Sequence, residues 1–419
     1  MNNSNIRVAE MFAGVGGFHL GLKNASPNFE IIWANQFEPS RKNQFAFKIY
    51  QERFPEIEPS NEDFSKIDKT CIPDMDLLVG GFPCQDYSVA ASGAKGIVGK
   101  KGVLWWDIRK TIKVKKPKYI FLENVDRLLS SPGVTTVQPG RDFGIMLRTL
   151  SDLGYGVTWK MINASDYGFP QKRRRTFIFA FRKDSIFMKN MKNINLENED
   201  EIRNFLTNMS PLSSTLANKE IHDFEEISLM NQLELKDFSD NFRIKRGFRK
   251  TGFMIDGHVY MANYQPVMRP KCTLRTIIKP NIEDDSLYLS KEQKNKFAEL
   301  KAGFRKIKIS KTGHPYKYGM GAIAYPDSLD EPARTMVTSE HTISRMSHVV
   351  RDPGNNKKRL ISPEEAELIN MFPEGWTKIE GITKTNRYFT MGNALVVGLV
   401  TEIGEEIEKL FKLESDNIE

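Results

Sequence analysis

Long apolar runs are missing from this 419-residue chain. No stretch approaches the roughly 18 uninterrupted apolar residues of a membrane-spanning helix, so no membrane partner is expected. The opening residues, Met1 to Arg7, are polar and lead into no apolar signal segment, which makes cytoplasmic residence the expectation. Cysteine is scarce as well. Cys71, Cys84 and Cys272 are odd in number and show no CxxC spacing, so neither a disulfide framework nor a zinc site is supported and no metal is expected. No internal repeat is found, which removes solenoids and propellers. What remains is an ordinary globular composition, 40% hydrophobic and 27% charged, long enough for two domains. The formal charge of +8 and pI of about 9.1 suit a polyanionic partner, although many soluble proteins share them.

Short apolar runs alternate with helix-like segments over the first 180 residues. Arg7 to Phe12, Ile31 to Ala34, Asp76 to Val79, Tyr119 to Leu122 and Thr176 to Phe181 read as strands, and Ser40 to Phe54, Leu104 to Lys113 and Phe143 to Leu153 as helices. That rhythm predicts an α/β fold with a largely parallel sheet, ligands sitting at the carboxyl ends of the strands. From about Lys183 to Lys311 the rhythm is lost and the sequence turns polar and irregular. The expected organisation is a catalytic domain over residues 1–182, a smaller irregular domain over 183–384, and a C-terminal segment, 385–419, that returns to the first. Ser362 to Met371, with Pro363 early and acids in its first turn, reads as a helix, and so does Asn393 to Phe411.

Four strand-end features carry chemistry. Phe12-Ala13-Gly14-Val15-Gly16-Gly17 is a strand–turn–helix junction where a ligand can approach backbone, though taken alone a plain turn explains it equally well. Pro83-Cys84-Gln85 follows the Asp76 to Val79 strand and two glycines, a place where a thiolate can be exposed and stabilised; a lone cysteine there is more commonly a small buried hydrophobe. Glu123-Asn124-Val125 ends the next strand, as a catalytic carboxylate or a helix cap. Gln171 to Arg175 leads into another strand; basic runs mostly form solvated faces, but strand alternation predicts that Arg173 and Arg175 share one side.

In this order the motifs resemble those of the cytosine-C5 DNA methyltransferases. The resemblance extends to Asp63-Phe64, to Pro332-Ala333-Arg334-Thr335 and to Met391 to Leu395. It implies a Rossmann-like sheet that binds S-adenosyl-L-methionine, with a smaller target-recognition domain. It implies that Cys84 is a nucleophile toward cytosine C6, that Glu123 carries or shares a proton at ring N3, and that Arg175 contacts O2 with Arg173 in support. Phe12, Ala13, Gly14, Val15, Gly16, Gly17, Asp63, Phe64, Pro83, Leu104, Asn393, Ala394 and Leu395 match the family's cofactor pocket. The ribose ligand is left open between Gln36, which occupies the usual glutamate position, and Glu38, the nearest carboxylate, whose other reading is a cap on the Ser40 helix. Gln85 and Ser88 match a loop that closes behind a flipped base, in a stretch holding Gly93, Gly96, Gly99 and Gly102.

Double-stranded DNA is the implied partner. Arg243, Lys245, Arg246, Arg249 and Lys250, five cations in eight residues, and the stretch from Lys306 to Lys317 are candidates for phosphate contacts. A monomer is expected, with a cognate restriction endonuclease as a separate protein. The competing readings are a transfer-RNA cytosine methyltransferase of the same fold, against which the long middle region argues, and a silent DNA-binding relative, which would be expected to lack Cys84 or Glu123. A nicotinamide oxidoreductase suits neither the glycine pattern nor the Pro-Cys pair.

Overall fold

The computed structural model describes residues 5–82, 103–131, 138–229, 234–309 and 313–417. Its contacts divide the chain into two units: residues 1–167, 174–269 and 397–419, and residues 168–173 and 270–396.

The first unit is built on a nine-stranded sheet in the order β2-β1-β3-β4-β6-β5-β8-β9-β7. Its α/β half comprises β1 (Ile6–Met11), α1 (Gly17–Ala25), β2 (Phe29–Asn35), α2 (Phe45–Arg53), β3 (Leu77–Gly81), α3 (Val103–Lys115), β4 (Tyr119–Val125) and α4 (Arg141–Asp152). These four strands are parallel. β1, β3 and β4 are buried almost throughout, as expected of strands covered on both faces, whereas the edge strand β2 is only partly buried. Beyond β4 the sheet becomes antiparallel, so the expectation of a largely parallel sheet holds only for this half. β5 (Tyr155–Asn163) and β6 (Arg174–Arg182) pair with each other, and β6 pairs with β4.

β5 escaped the sequence reading because its apolar run is broken by Gly156 and Lys160. Both have structural reasons. A Cβ on Gly156 would stand 2.3 Å from the Phe181 ring, and the buried Lys160 ammonium donates to the Leu216 carbonyl between the rings of Tyr167 and Tyr264.

After α5 (Ile186–Met191) and α6 (Glu199–Asn204), the sheet gains β7 (Asn218–Ser228), α7 (Leu235–Asn241) follows, and β8 (Thr251–Ile255) and β9 (His258–Pro266) complete it. The expected boundary at residue 182 is therefore not where the contacts divide: β8 pairs with β5, which carries the first unit on to Arg269. A local signal existed. Asp256 and Gly257 both have positive φ, 47° and 78°, and an Asp-Gly pair between apolar runs marks a tight hairpin. The core joins both halves, with Trp105, Phe143, Trp159, Ile178, Phe242 and Phe248 in one buried cluster.

The second unit holds α8 (Lys291–Lys301), the ribbon β10 (Phe304–Ile309) and β11 (Pro315–Met320), the short pair β12 (Val349–Arg351) and β13 (Lys358–Leu360), α9 (Pro363–Ile369) and α10 (Lys384–Asn393). The α9 start expected from Pro363 is a capping box: Ser362 Oγ accepts from Glu365 N while the Glu365 carboxylate accepts from Ser362 N. Arg359, wholly buried, is held by Asp352 and Glu365. The helix expected from Asn393 onward starts later. α10 ends at Asn393, Ala394 is extended, and α11 (Val397–Asp416) begins three residues later in the first unit, where Gly21 of α1 lets the Val400 side chain approach closely.

Candidate active site

Because β1 to β4 are parallel, their carboxyl ends lie along one rim of the sheet. Antiparallel β6 brings its amino end to the same rim, with Val125 opposite Arg175. The first rim element is the turn after β1. Phe12 (φ 54°), Gly14 (φ 59°) and Gly16 (φ 87°) all lie in the left-handed region. Gly16 has no room for a side chain, since a Cβ would meet the Phe54 ring at 2.2 Å, whereas a Cβ on Gly14 would meet nothing within 4 Å. The turn is fastened to β2: Ala13 N donates to Asn35 O (2.9 Å) and Gly14 N to Gln36 Oε1 (2.7 Å).

Beside the turn, Phe12 packs edge-on against Phe64 with centroids 5.0 Å apart. Phe64 is buried under Trp33 and the Lys69 ammonium. Asp63 Oδ1 accepts from Ser65 N (3.0 Å) and Oγ (2.8 Å), so its second oxygen is available to another donor. Glu38 is half-buried, and burial raises its carboxyl pKa. It caps no Ser40 helix, because α2 starts at Phe45 and Gln44 bridges to the backbone of Glu38 instead. Ala13 and Val15 are buried, and Leu104 packs against the core.

Under this turn lies a polar chain that the sequence reading missed. Glu10, fully buried in β1, lies 3.1 Å from the Tyr50 hydroxyl, which is 2.8 Å from His19 Nδ1. Burial pushes the Glu10 carboxyl up to about 8 and the His19 imidazole down to about 3, so both are neutral at pH 7. The Tyr50 hydroxyl donates to Glu10 Oε2 and lies against His19 Nδ1 on its other side. Unfolded, Glu10 ionises above about 4.5. Folding therefore holds an extra proton between about 4.5 and 8, and stability declines as pH rises through that window. His19 acts in the opposite sense between about 3 and 6.5, where stability rises with pH. Of these two groups, only Glu10 contributes a slope from about 6.5 to 8. Glu10→Gln, an uncharged isostere, is expected to remove that contribution, so that its stability relative to wild type rises by on the order of 1–2 kcal/mol between pH 6.5 and 8. Denaturant titrations at pH 6.5 and 8 measure this; parallel curves for the two proteins would contradict a protonated Glu10.

The second rim element is Glu123, at the end of β4. Arg175 Nε lies 2.7 Å from Glu123 Oε1, but the approach is an ion pair without hydrogen-bond alignment, and Oε1 has no aligned donor. The other oxygen faces Gly81, its neighbour in register on β3. A Cβ there would stand 3.1 Å from Oε2, so the missing side chain keeps that face of the carboxylate open. Asn124 is a fastener. Its Nδ2 donates to Phe82 O (3.0 Å) and its Oδ1 accepts from Val125 N (2.8 Å), which pins the residue just before Pro83 and Cys84. Pro83, Cys84, Gln85 and Ser88, with the four glycines that follow, lie outside the described residues.

β6 begins only at Arg174, so strand alternation does not reach Arg173, which belongs to the second unit and donates to Met336 O (3.3 Å) and Gly392 O (3.0 Å). These two bonds tie Arg173 to the backbone of the second unit. Gln171 is buried next to it, accepting from Met336 N and donating to Asn370 Oδ1. Asn393, Ala394 and Leu395 also fall in the second unit. The basic stretch 243–250 belongs to the first unit, leading into β8. There Phe248 is core, Arg249 pairs with Glu225 (2.8 Å), and Arg243, Lys245, Arg246 and Lys250 are exposed.

A glycine turn over a half-buried carboxylate, with a glutamate–arginine pair along the same rim, is the layout of an α/β group-transfer enzyme. Residues 6–409 match the C-5 cytosine-specific DNA methylase family, and the chain belongs to it. It is 44% identical to Type II methyltransferase M.Sau3AI of Staphylococcus aureus, over 99% of this chain and 98% of that one. It is 31% identical to Type II methyltransferase M.HhaI of Haemophilus parahaemolyticus, over 55% of this chain and 64% of that one. Among solved structures it is similar in fold to S. pombe Dnmt2 methyltransferase, with a TM-score of 0.58 at 15% identity, covering 97% of this chain and 99% of that one. Among the described residues no helix is long and apolar enough to cross a membrane.

Proposed function

We propose that the protein transfers a methyl group from S-adenosyl-L-methionine to carbon 5 of a cytosine flipped out of a specific duplex DNA sequence. The observation that carries this reading is the Glu123–Arg175 pair at the sheet rim, with one carboxylate oxygen lacking an aligned donor and the other facing Gly81. Carbon 5 of cytosine is too electron-poor to attack a methyl donor directly. Addition of the Cys84 thiolate forms an S–C6 bond and shifts the C5–C6 electron pair onto the ring, making C5 nucleophilic. Glu123 holds a proton at N3 and accepts from the exocyclic amine, while Arg175, which orients Glu123, meets O2. Once C5 carries the methyl group, its proton leaves to a base, the C5–C6 double bond re-forms and the thiolate departs.

The turn fits the cofactor: open space at Gly14, the free Asp63 oxygen for an amine donor, and Phe12 and Phe64 for an aromatic face. When bound, S-adenosyl-L-methionine supplies a methyl group activated by its sulfonium. The family resemblance adds Pro83 and Leu104 to the residues that hold it. The ribose falls to Glu38, because Gln36 Oε1 is engaged by Gly14 N. Glu38→Ala is then expected to weaken cofactor binding about tenfold, the scale of one charge-assisted hydrogen bond. In calorimetry, an unchanged affinity would return the role to Gln36.

Arg243, Lys245, Arg246 and Lys250 contact DNA phosphates in this reading, supported by their exposure. Arg249 is withdrawn from that set by its partner Glu225. The enzyme works as a monomer, and a cognate restriction endonuclease is a separate protein, a reading supported by the Type II name of its relatives. The test is to incubate the protein with labelled cofactor and either duplex DNA or transfer RNA, and to map methylation by bisulfite sequencing of DNA from expressing cells. Label in DNA at one recurrent cytosine is the expected result; label only in RNA would overturn it.

A further inference from the structure

The ribbon of β10 and β11 stands in solvent along its whole length. Its strands pair from Phe304 opposite Met320 to Ile309 opposite Pro315. Every residue in them is exposed except Lys308 and Tyr318, which cover each other, the ammonium 3.8 Å from the ring centroid. Ile307 and Ile309 are 73% and 74% exposed, more than any other large hydrophobic among the described residues. A lone two-stranded ribbon is marginal in water, yet its foot is fixed. Arg345 Nη1 donates to Leu300 O (2.6 Å) and Ala302 O (3.0 Å), and its Nη2 donates to Gly321 O on the other side. Ile323 N closes the base on Lys301 O (2.8 Å), and the buried Lys301 ammonium is paired with Asp327. The result is an unsupported arm on a supported foot.

The arm's charge selects its partner. Residues 304–320 contain Arg305, Lys306, Lys308, Lys311 and Lys317 and no acid. Directly opposed residues share a face. One face therefore carries Arg305, Ile307, Ile309 and Lys317, and the other Lys306, Lys308, Tyr316 and Tyr318. A second copy would set like charges against each other. A polyanion matches, and the major groove of a duplex admits a two-stranded ribbon, where aliphatic side chains meet thymine methyl groups.

We propose that the β10–β11 ribbon is a DNA arm that lies in the major groove, Arg305 and Lys317 reaching phosphates and Ile307 and Ile309 the base edges. This rests on the reading of the protein as a DNA methyltransferase. Two double variants test it in titrations of the methylated duplex at several salt concentrations. R305A/K317A is expected to lose affinity about tenfold and to flatten the logarithmic salt slope by about 2, one unit per phosphate contact. I307S/I309S is expected to lose affinity with the slope unchanged, and more on the methylated duplex than on an unrelated one. Melting temperature and cofactor affinity of both should match wild type, because the arm packs on no core. In the wild-type protein, DNA should slow hydrogen exchange across residues 304–309 and 315–320. Wild-type affinity and slope in both variants would overturn the proposal, as would sedimentation showing that I307S/I309S dissolves a dimer. Neither result would touch DNA methylation by the wild type, whose absence would instead overturn the functional reading beneath.

Discussion

Replacing Cys84 with alanine is expected to lower methyl transfer by roughly four orders of magnitude or more, the scale on which loss of a covalent nucleophile acts. The reason lies in the substrate. Without a bond at C6, the pyrimidine keeps its aromatic electron distribution and C5 offers no lone pair to the donor. Oriented donors at N3 and O2 polarise the ring but do not replace the electron pair brought by sulfur. Cofactor affinity should stay near wild type, since this thiol has no part in holding it. A duplex with 5-fluorocytosine at the target sharpens the experiment. Fluorine cannot leave as a proton does, so the wild-type enzyme should be trapped as an adduct that survives denaturing electrophoresis. Turnover by the alanine variant, or an adduct mapped to a different residue, would remove Cys84 from the mechanism.

The second large effect concerns Glu123. Glu123→Gln preserves size but can neither deliver a proton to N3 nor balance Arg175, so the rate should fall by about two orders of magnitude, the usual contribution of general acid catalysis. The loss should appear in kcat rather than in the KM for DNA, because the proton matters most as charge builds on the ring. Arg175, relieved of its 2.7 Å partner, is then free to swing from O2, and Arg175→Ala should reproduce part of the defect. A wild-type rate in Glu123→Gln would mean that ring activation comes from another group.

The parallel half of the sheet and its rim were legible because each strand there is a short apolar run that stops at glycine or at a polar residue. Gly14, Gly16, Gly81 and Glu123 stand where their strand-end positions put them. Legibility failed where polar residues are buried. Lys160 hides β5 by bonding a carbonyl inside the core, and Glu10 sits in β1 as a neutral acid. At residues 171–175 one basic run is divided between the two units, which its composition does not announce. Only the onset of β6 at Arg174 separates the buried Arg173 from the rim Arg175. The sequence distinguishes these arginines by nothing but position.

The hexapeptide 168–173 limits how the second unit can be exchanged as a segment. The second unit is otherwise continuous from 270 to 396, a natural cassette for recombination between relatives. A transplanted cassette would still have to accommodate Gln171 and Arg173 of the recipient, whose side chains satisfy backbone and amide groups at Met336, Asn370 and Gly392. Chimeras that bring the donor's hexapeptide along should fold; those that leave it behind should do so only where the two parents agree at these contacts.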